Sequence, residues 1–209
     1  MERIGSTLLQ LVAHEASPPE RPDRVPAGAN ADADGIVVGN GPVTVDAYID
    51  FQCMFCRQFM QNCWSELRRM LKQGRINLVY HPLNLLDVIS STDYSWRAAA
   101  AAGCAADGEK LPGYAVALYA NQPAEGGPGP KRTPGLSDEE LVEIGHSVGL
   151  EDQGFGSCVP GQTYMPWAAY VTSKATARGI DAIPTIFVNG TQVHPNAAMI
   201  EAAVEAAGG

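Results

Sequence analysis

Two cysteines, Cys53 and Cys56, stand with two residues between them in Phe51-Gln52-Cys53-Met54-Phe55-Cys56-Arg57-Gln58-Phe59. Sulfurs at this spacing can be joined and released again, so the chemistry the pair supports is thiol–disulfide exchange. The elements around them assign the roles. Val43 to Phe51 is an apolar run that reads as a strand. Beyond it Cys56, Phe59, Met60, Cys63, Leu67 and Met70 recur at spacings of three and four, the apolar stripe of one helix. Cys53 therefore falls where strand gives way to helix. The first-turn amides there have no intrahelical partner and lie at the positive end of the helix dipole. A thiolate at Cys53 is stabilised, and the thiolate is the reactive form. Cys53 is expected to stay accessible and act as nucleophile. Cys56, one turn in on the inward stripe, is expected to resolve the mixed disulfide.

The other reading of such a pair, half of a zinc site, needs two more ligands at comparable spacing. Cys63, Cys104 and Cys158 form no second pair, and His14, His81, His146 and His194 are scattered. No metal is expected, and no cofactor, because the redox couple is the two sulfurs themselves. The net charge of −9 argues against nucleic acid or an anionic membrane surface as partner. No stretch approaches the roughly 18 apolar residues of a membrane span. Leu8 to Ala13 is too short for the apolar region of a signal peptide. A chain of 209 residues with 45% hydrophobic content is one domain, or one domain with an insertion.

In chain order, a weak helix over Ile4 to Ala13 precedes residues 14–35, which are rich in Pro, Ala, Asp and Gly and read as an arm or linker. Ile36 to Val38 is a short strand. The helix from Met54 to Lys72 ends in basic residues with Gly74 beyond. Arg75 to His81 alternates as a strand does and is expected to pair in parallel with the run before Cys53. Tyr94 to Asp107, capped by Ser91 or Thr92, and Leu111 to Ala120 read as helices, with Cys104 pointing inward. Asn121 to Leu136 is a long loop. Ser137 and Glu140 form a capping box. Gly154 to Gly161 reads as loop, and Tyr164 to Arg178 as helix. Pro184 to Val188, Asn189-Gly190 and Thr191 to Val193 form a hairpin, followed by a helix capped by Asn196. His81 reads as a surface or cap residue. Asp46 and Asp50 read as acids facing solvent. Cys63 and the large aromatics, Tyr114, Tyr119, Trp64, Trp96 and Trp167, read as core.

These pieces resemble the DsbA-like thiol–disulfide oxidoreductases of actinobacterial type, an α/β thioredoxin fold with an inserted helical domain. The resemblance rests on Asp50-Phe51-Gln52-Cys53-Met54-Phe55-Cys56 at the strand-to-helix junction, on Ile183-Pro184-Thr185 before a strand, and on the helical insertion. Tyr94-Ser95-x-Arg97-Ala98-Ala99 and Tyr119-Ala120-Asn121-Gln122-Pro123 add to it. It implies an arm over 1–35, a first thioredoxin half over 36–86, the insertion over 87–163 and a second half over 164–209. It further implies a cis Ile183–Pro184 bond lying against Cys53, with Ile183, Pro184, Met54 and Phe55 lining the substrate groove, and a structural disulfide between Cys104 and Cys158. The implied activity is oxidation or isomerisation of cysteines in protein substrates, with an unidentified redox partner. The compartment stays open between extracytoplasmic, which the resemblance favours, and cytoplasmic. A glutathione-dependent isomerase or transferase of small molecules, or a non-catalytic peptide-binding module, are the other readings. Three residues depart from the family pattern. Met54 replaces a frequent proline, Phe55 replaces the histidine of the oxidising prototype, and Ala47 replaces a buried acid six residues before the first cysteine.

Overall fold

A computed structural model describes residues 20–124, 126–151 and 153–208. The expected helix over Ile4 to Ala13 lies outside the described residues. The central strand is β2 (Val43–Ile49). Its burial alternates at first, with Thr44 and Asp46 only half-covered, and becomes complete from Ala47 on. That is the signature of a strand flanked on both edges and covered on both faces. The five-stranded sheet runs β1-β3-β2-β4-β5, with β1 Ile36–Gly39, β3 Ile76–Pro82, β4 Thr185–Val188 and β5 Thr191–Val193. Strands β2 and β3 are parallel, from Val43 opposite Ile76 to Ile49 opposite Pro82. Strand β4 runs antiparallel to β2, with Tyr48 opposite Thr185.

The crossover between β2 and β3 is α1 (Met54–Lys72), whose buried stripe is Cys56, Phe59, Met60, Cys63, Leu67 and Met70. Between β3 and β4 stand α2 (Tyr94–Asp107), α3 (Leu111–Ala120), α4 (Asp138–Ser147), α5 (Gln153–Cys158) and α6 (Met165–Ala177). The last helix, α7 (Ala197–Ala206), packs on α1 and carries the Asn196 cap. Helix α2 is alanine-rich because it is enclosed. It packs against α3, α4, α5 and α6, and its residues from Ala98 to Ala106 are buried. At Gly103 an added Cβ would lie 2.9 Å from the Tyr164 ring and 3.0 Å from Pro26, so only glycine admits that approach. Cys104 of α2 is bonded to Cys158 at the end of α5.

Four expectations change. Residues 153–158, read as loop, form the short α5, because glycines at 154 and 156 do not outweigh the burial of Phe155 and the tie to α2. Helix α2 is capped by neither Ser91 nor Thr92. The Ser90 hydroxyl accepts from the amide of Tyr94 at 2.8 Å. The supposed linker is docked in its second half. Ala29 bridges to Ile36, and Ala33 and Asp34 are buried. Low hydrophobicity hid this docking, because polar contacts hold the segment. His81 is not at the surface but 1% exposed. Its ring nitrogens face the Asp34 carbonyl at 2.6 Å and the Asp46 carboxylate at 3.0 Å, and it stacks on Tyr48 with centroids 4.1 Å apart. Arg178, just past α6, donates to the Tyr48 hydroxyl at 3.1 Å and pairs with Asp34 at 2.9 Å.

Candidate active site

Strand β2 stops at Ile49, and the chain makes a turn of four residues before α1. The Asp50 carbonyl accepts from the amide of Cys53 at 3.1 Å, closing that turn. Cys53 is then the N-cap of α1, in extended geometry with φ −78° and ψ 122°. An N-cap side chain accepts from the open amides of the first turn. Here the acceptor is sulfur, and the Cys56 amide donates to Cys53 Sγ at 3.4 Å. No acidic side chain competes in the first turn.

The two sulfurs differ in environment. The Cys56 thiol hydrogen-bonds to Cys53 and, with the amides of Cys56 and Phe55, holds the Cys53 thiol below its ordinary range against the opposing effect of burial. Cys56 is fully buried, and that burial, then its donation to Cys53 and the charge there, raises its thiol well above the ordinary value. Both cysteines are free thiols. The accessibility expected of Cys53 is narrower than the sequence implied. Only 3% of its surface is open, because its sulfur is wedged between the first turn of α1 and the Ile183 carbonyl, 3.9 Å away. The Ile183–Pro184 bond is cis. Around this opening lie half-buried Met54, Ile183 and Pro184 and the 60%-exposed Phe55. Cys63, further along α1, is buried with its sulfur 3.9 Å from the Pro195 carbonyl.

Asp50 overturns its sequence reading. It has no exposed surface. Its carboxylate accepts from the amides of Gln52 at 2.8 Å and Leu86 at 3.0 Å and from the Ser95 hydroxyl at 2.5 Å. Burial raises its carboxyl from 3.8 to about 6, more than those three bonds lower it. Strand parity failed because Asp50 lies one residue past the end of β2, where alternation no longer holds. An Asp whose side chain takes the amide two residues on is a turn-former, and the Asp50-x-Gln52 spacing before a helix was the available signal. Two further side chains escape the sequence, Tyr119 of α3 and Gln122 just past its end. The Tyr119 hydroxyl donates to the Asp50 carbonyl at 3.2 Å. The Gln122 side-chain amide donates to the carbonyls of Phe51 at 2.7 Å and Cys53 at 3.0 Å.

A family model described as thioredoxin matches residues 32–206. The chain belongs to the thioredoxin family. Within it the structure is DsbA-like. It overlays the reduced DsbA of Mycobacterium tuberculosis with a TM-score of 0.70 at 28% identity, covering 84% of this chain and 93% of that one. The reduced disulfide bond oxidoreductase DsbG of the same organism gives 0.71 and 28%, covering 87% and 90%. The MdbA thiol–disulfide oxidoreductase of Actinomyces oris shares the fold, with a TM-score of 0.69 at 19% identity and coverage of 87% and 92%. Among curated relatives, the serine/threonine-protein kinase PknE of Mycobacterium tuberculosis is 30% identical over 165 residues, 74% of this chain. The chain spans 28% of that kinase's length. No described helix is long and apolar enough to cross a membrane.

Proposed function

We propose that this DsbA-like chain is a thiol–disulfide oxidoreductase that oxidises or isomerises cysteines of protein substrates, with Cys53 as nucleophile and Cys56 as the resolving thiol. The observation that carries the assignment is the asymmetry of the pair. One sulfur caps a helix with its thiol held low, and the other is sealed beneath it with its thiol held high. In a dithiol of this kind the outer sulfur is a good leaving group and the inner one is protonated when freed.

In the oxidising direction the site starts as a Cys53–Cys56 disulfide. A substrate thiolate attacks Cys53 Sγ, the bond to Cys56 breaks, and its electron pair goes to Cys56 Sγ. Cys56, whose thiol is held high by burial, takes up a proton, balancing the one the substrate thiol gave up on becoming the attacking thiolate. A second substrate thiolate then attacks the substrate sulfur of the mixed disulfide and expels Cys53 as a thiolate. The substrate loses two electrons and the enzyme gains both. In isomerisation Cys53 begins as the thiolate and attacks a substrate disulfide. If Cys56 must release a trapped substrate, it gives up its proton and attacks Cys53 Sγ, expelling the substrate sulfur as a thiolate. The proximity of the Ile183 carbonyl to Cys53 Sγ supports a role for Ile183 and Pro184 in laying an extended substrate segment across the sulfur. Met54 and Phe55 supply apolar contact beside it.

The test is paired. Insulin reduction and oxidation of reduced ribonuclease are measured for the wild type and for Cys53→Ser. Activity in at least one assay, lost in the variant, is expected. Equal rates in both proteins refute the assignment. A peptide-binding module has no use for a lowered thiol, so iodoacetamide reactivity at pH 6 separates the two readings.

A further inference from the structure

The turn that presents Cys53 is held largely by the inserted helices. Of its four residues, Asp50, Phe51 and Cys53 each give their carbonyl to a side chain from α3 or its end. Gln122 is the more telling contact. Its single amide nitrogen has two hydrogens, one for each carbonyl on either side of Gln52. This fixes the orientation of two peptide planes at once, including the one that follows Cys53. The Cys53 carbonyl also accepts from the Arg57 amide at 3.1 Å, the first helical bond of α1. Gln122 therefore shares an acceptor with the helix start. If that peptide plane turned, Cys53 would leave its extended N-cap geometry and its sulfur would lose the Cys56 amide. The same bonds neutralise the negative ends of carbonyls that would otherwise oppose a thiolate nearby.

We propose that Gln122 and Tyr119 are positioning residues for Cys53, so that the inserted helices set how strongly the reduced state of the site is favoured. This rests on the assignment of Cys53 and Cys56 as the redox pair. Neither bonds to the sulfur of Cys53 itself. Both act through the backbone of the turn. The insertion is then part of the redox device, because a thioredoxin frame with the same two cysteines but no α3 would present the outer sulfur less well to the helix amides.

The experiment uses the full chain and two variants. Gln122→Leu keeps the bulk and removes both donors. Tyr119→Phe removes one buried hydroxyl and serves if the first variant folds poorly. Ionisation of Cys53 is followed by thiolate absorbance against a Cys53→Ser blank. The equilibrium in which two glutathione thiols reduce the Cys53–Cys56 disulfide is followed by alkylation, and urea unfolding is run in parallel. For Gln122→Leu, ionisation is expected to move up by half to one pH unit. The equilibrium constant for reduction should fall about three- to tenfold, tenfold being about 30 mV for this two-electron couple. Tyr119→Phe shifts both in the same direction by less. Variants that unfold more easily but keep wild-type ionisation and equilibrium overturn the inference and leave a merely structural contact. A wild type with no Cys53 thiolate signal and no exchange with glutathione overturns the redox assignment itself. That failure appears in the unaltered chain and is distinguishable from the first.

Discussion

Asp50 makes a quantitative demand on the pH dependence of stability. Its carboxyl is raised from 3.8 to about 6 in the folded protein, roughly two units at about 1.4 kcal/mol each, or about 3 kcal/mol. The sign follows from proton counting. Between pH 4 and 6 the folded state holds more protons on this group than the unfolded state, so stability falls as pH rises through that window. Above it the full cost of an ionised buried carboxylate is present, and at pH 4 only about 0.5 kcal/mol of it is. Asp50→Asn cannot ionise. The substitution also disturbs the bonds from Gln52, Leu86 and Ser95, but that loss is the same at every pH. The informative quantity is therefore the difference between pH 8 and pH 4 in the stability gap between variant and parent. It should favour the variant by about 2.5 kcal/mol at pH 8 relative to pH 4. Urea unfolding at both values, in a background carrying Cys53→Ala and Cys56→Ala, keeps thiol titration out of the measurement. A gap that moves by less than about 0.5 kcal/mol between the two pH values would refute the reasoning, because it would mean that Asp50 is solvated.

Three further outcomes are expected. Cys56→Ser should leave Cys53 reactive but without a resolving thiol, so when the Cys53 thiolate attacks a substrate disulfide and expels one substrate sulfur as a thiolate, the mixed disulfide accumulates and is read by mass spectrometry. Replacing Cys104 and Cys158 together by Ala should cost on the order of 4 kcal/mol in urea unfolding, the chain-entropy value for a sequence separation of 54. A loss below about 1 kcal/mol would show that the bridge closes a loop already ordered. Gly103→Ala forces a Cβ against the Tyr164 ring and Pro26 and should cost about 1–3 kcal/mol in thermal or urea unfolding. No loss would mean that α2 and the docked arm are not in close contact.

The strand-to-helix junction was legible because one periodicity ends and another begins at Cys53, and α1 spans Met54 to Lys72 as the stripe requires. The capping box at Ser137 and the hairpin at Asn189-Gly190 were legible for a similar reason, since each is a local rule satisfied by adjacent residues. What stayed hidden is non-local. Nothing in the sequence neighbourhood of Gln122 says that its amide lies on carbonyls 69 and 71 residues away. Asp50 was misjudged because strand alternation was carried one residue past the strand. His81 was misjudged because its burial depends on Asp34, in a segment whose composition resembles a linker.

The grip of Asp32 and Asp34 on Arg178 reaches further than packing. Arg178 lies five residues before Ile183, whose carbonyl faces the Cys53 sulfur. A fragment trimmed to begin at Ile36, where the sheet starts, would strip the counter-charges from that arginine and leave the His81 ring facing an empty berth. The seemingly dispensable arm thus works as a guy-rope on Arg178, and cutting it would slacken the segment that leads from α6 to Ile183 beside the Cys53 sulfur.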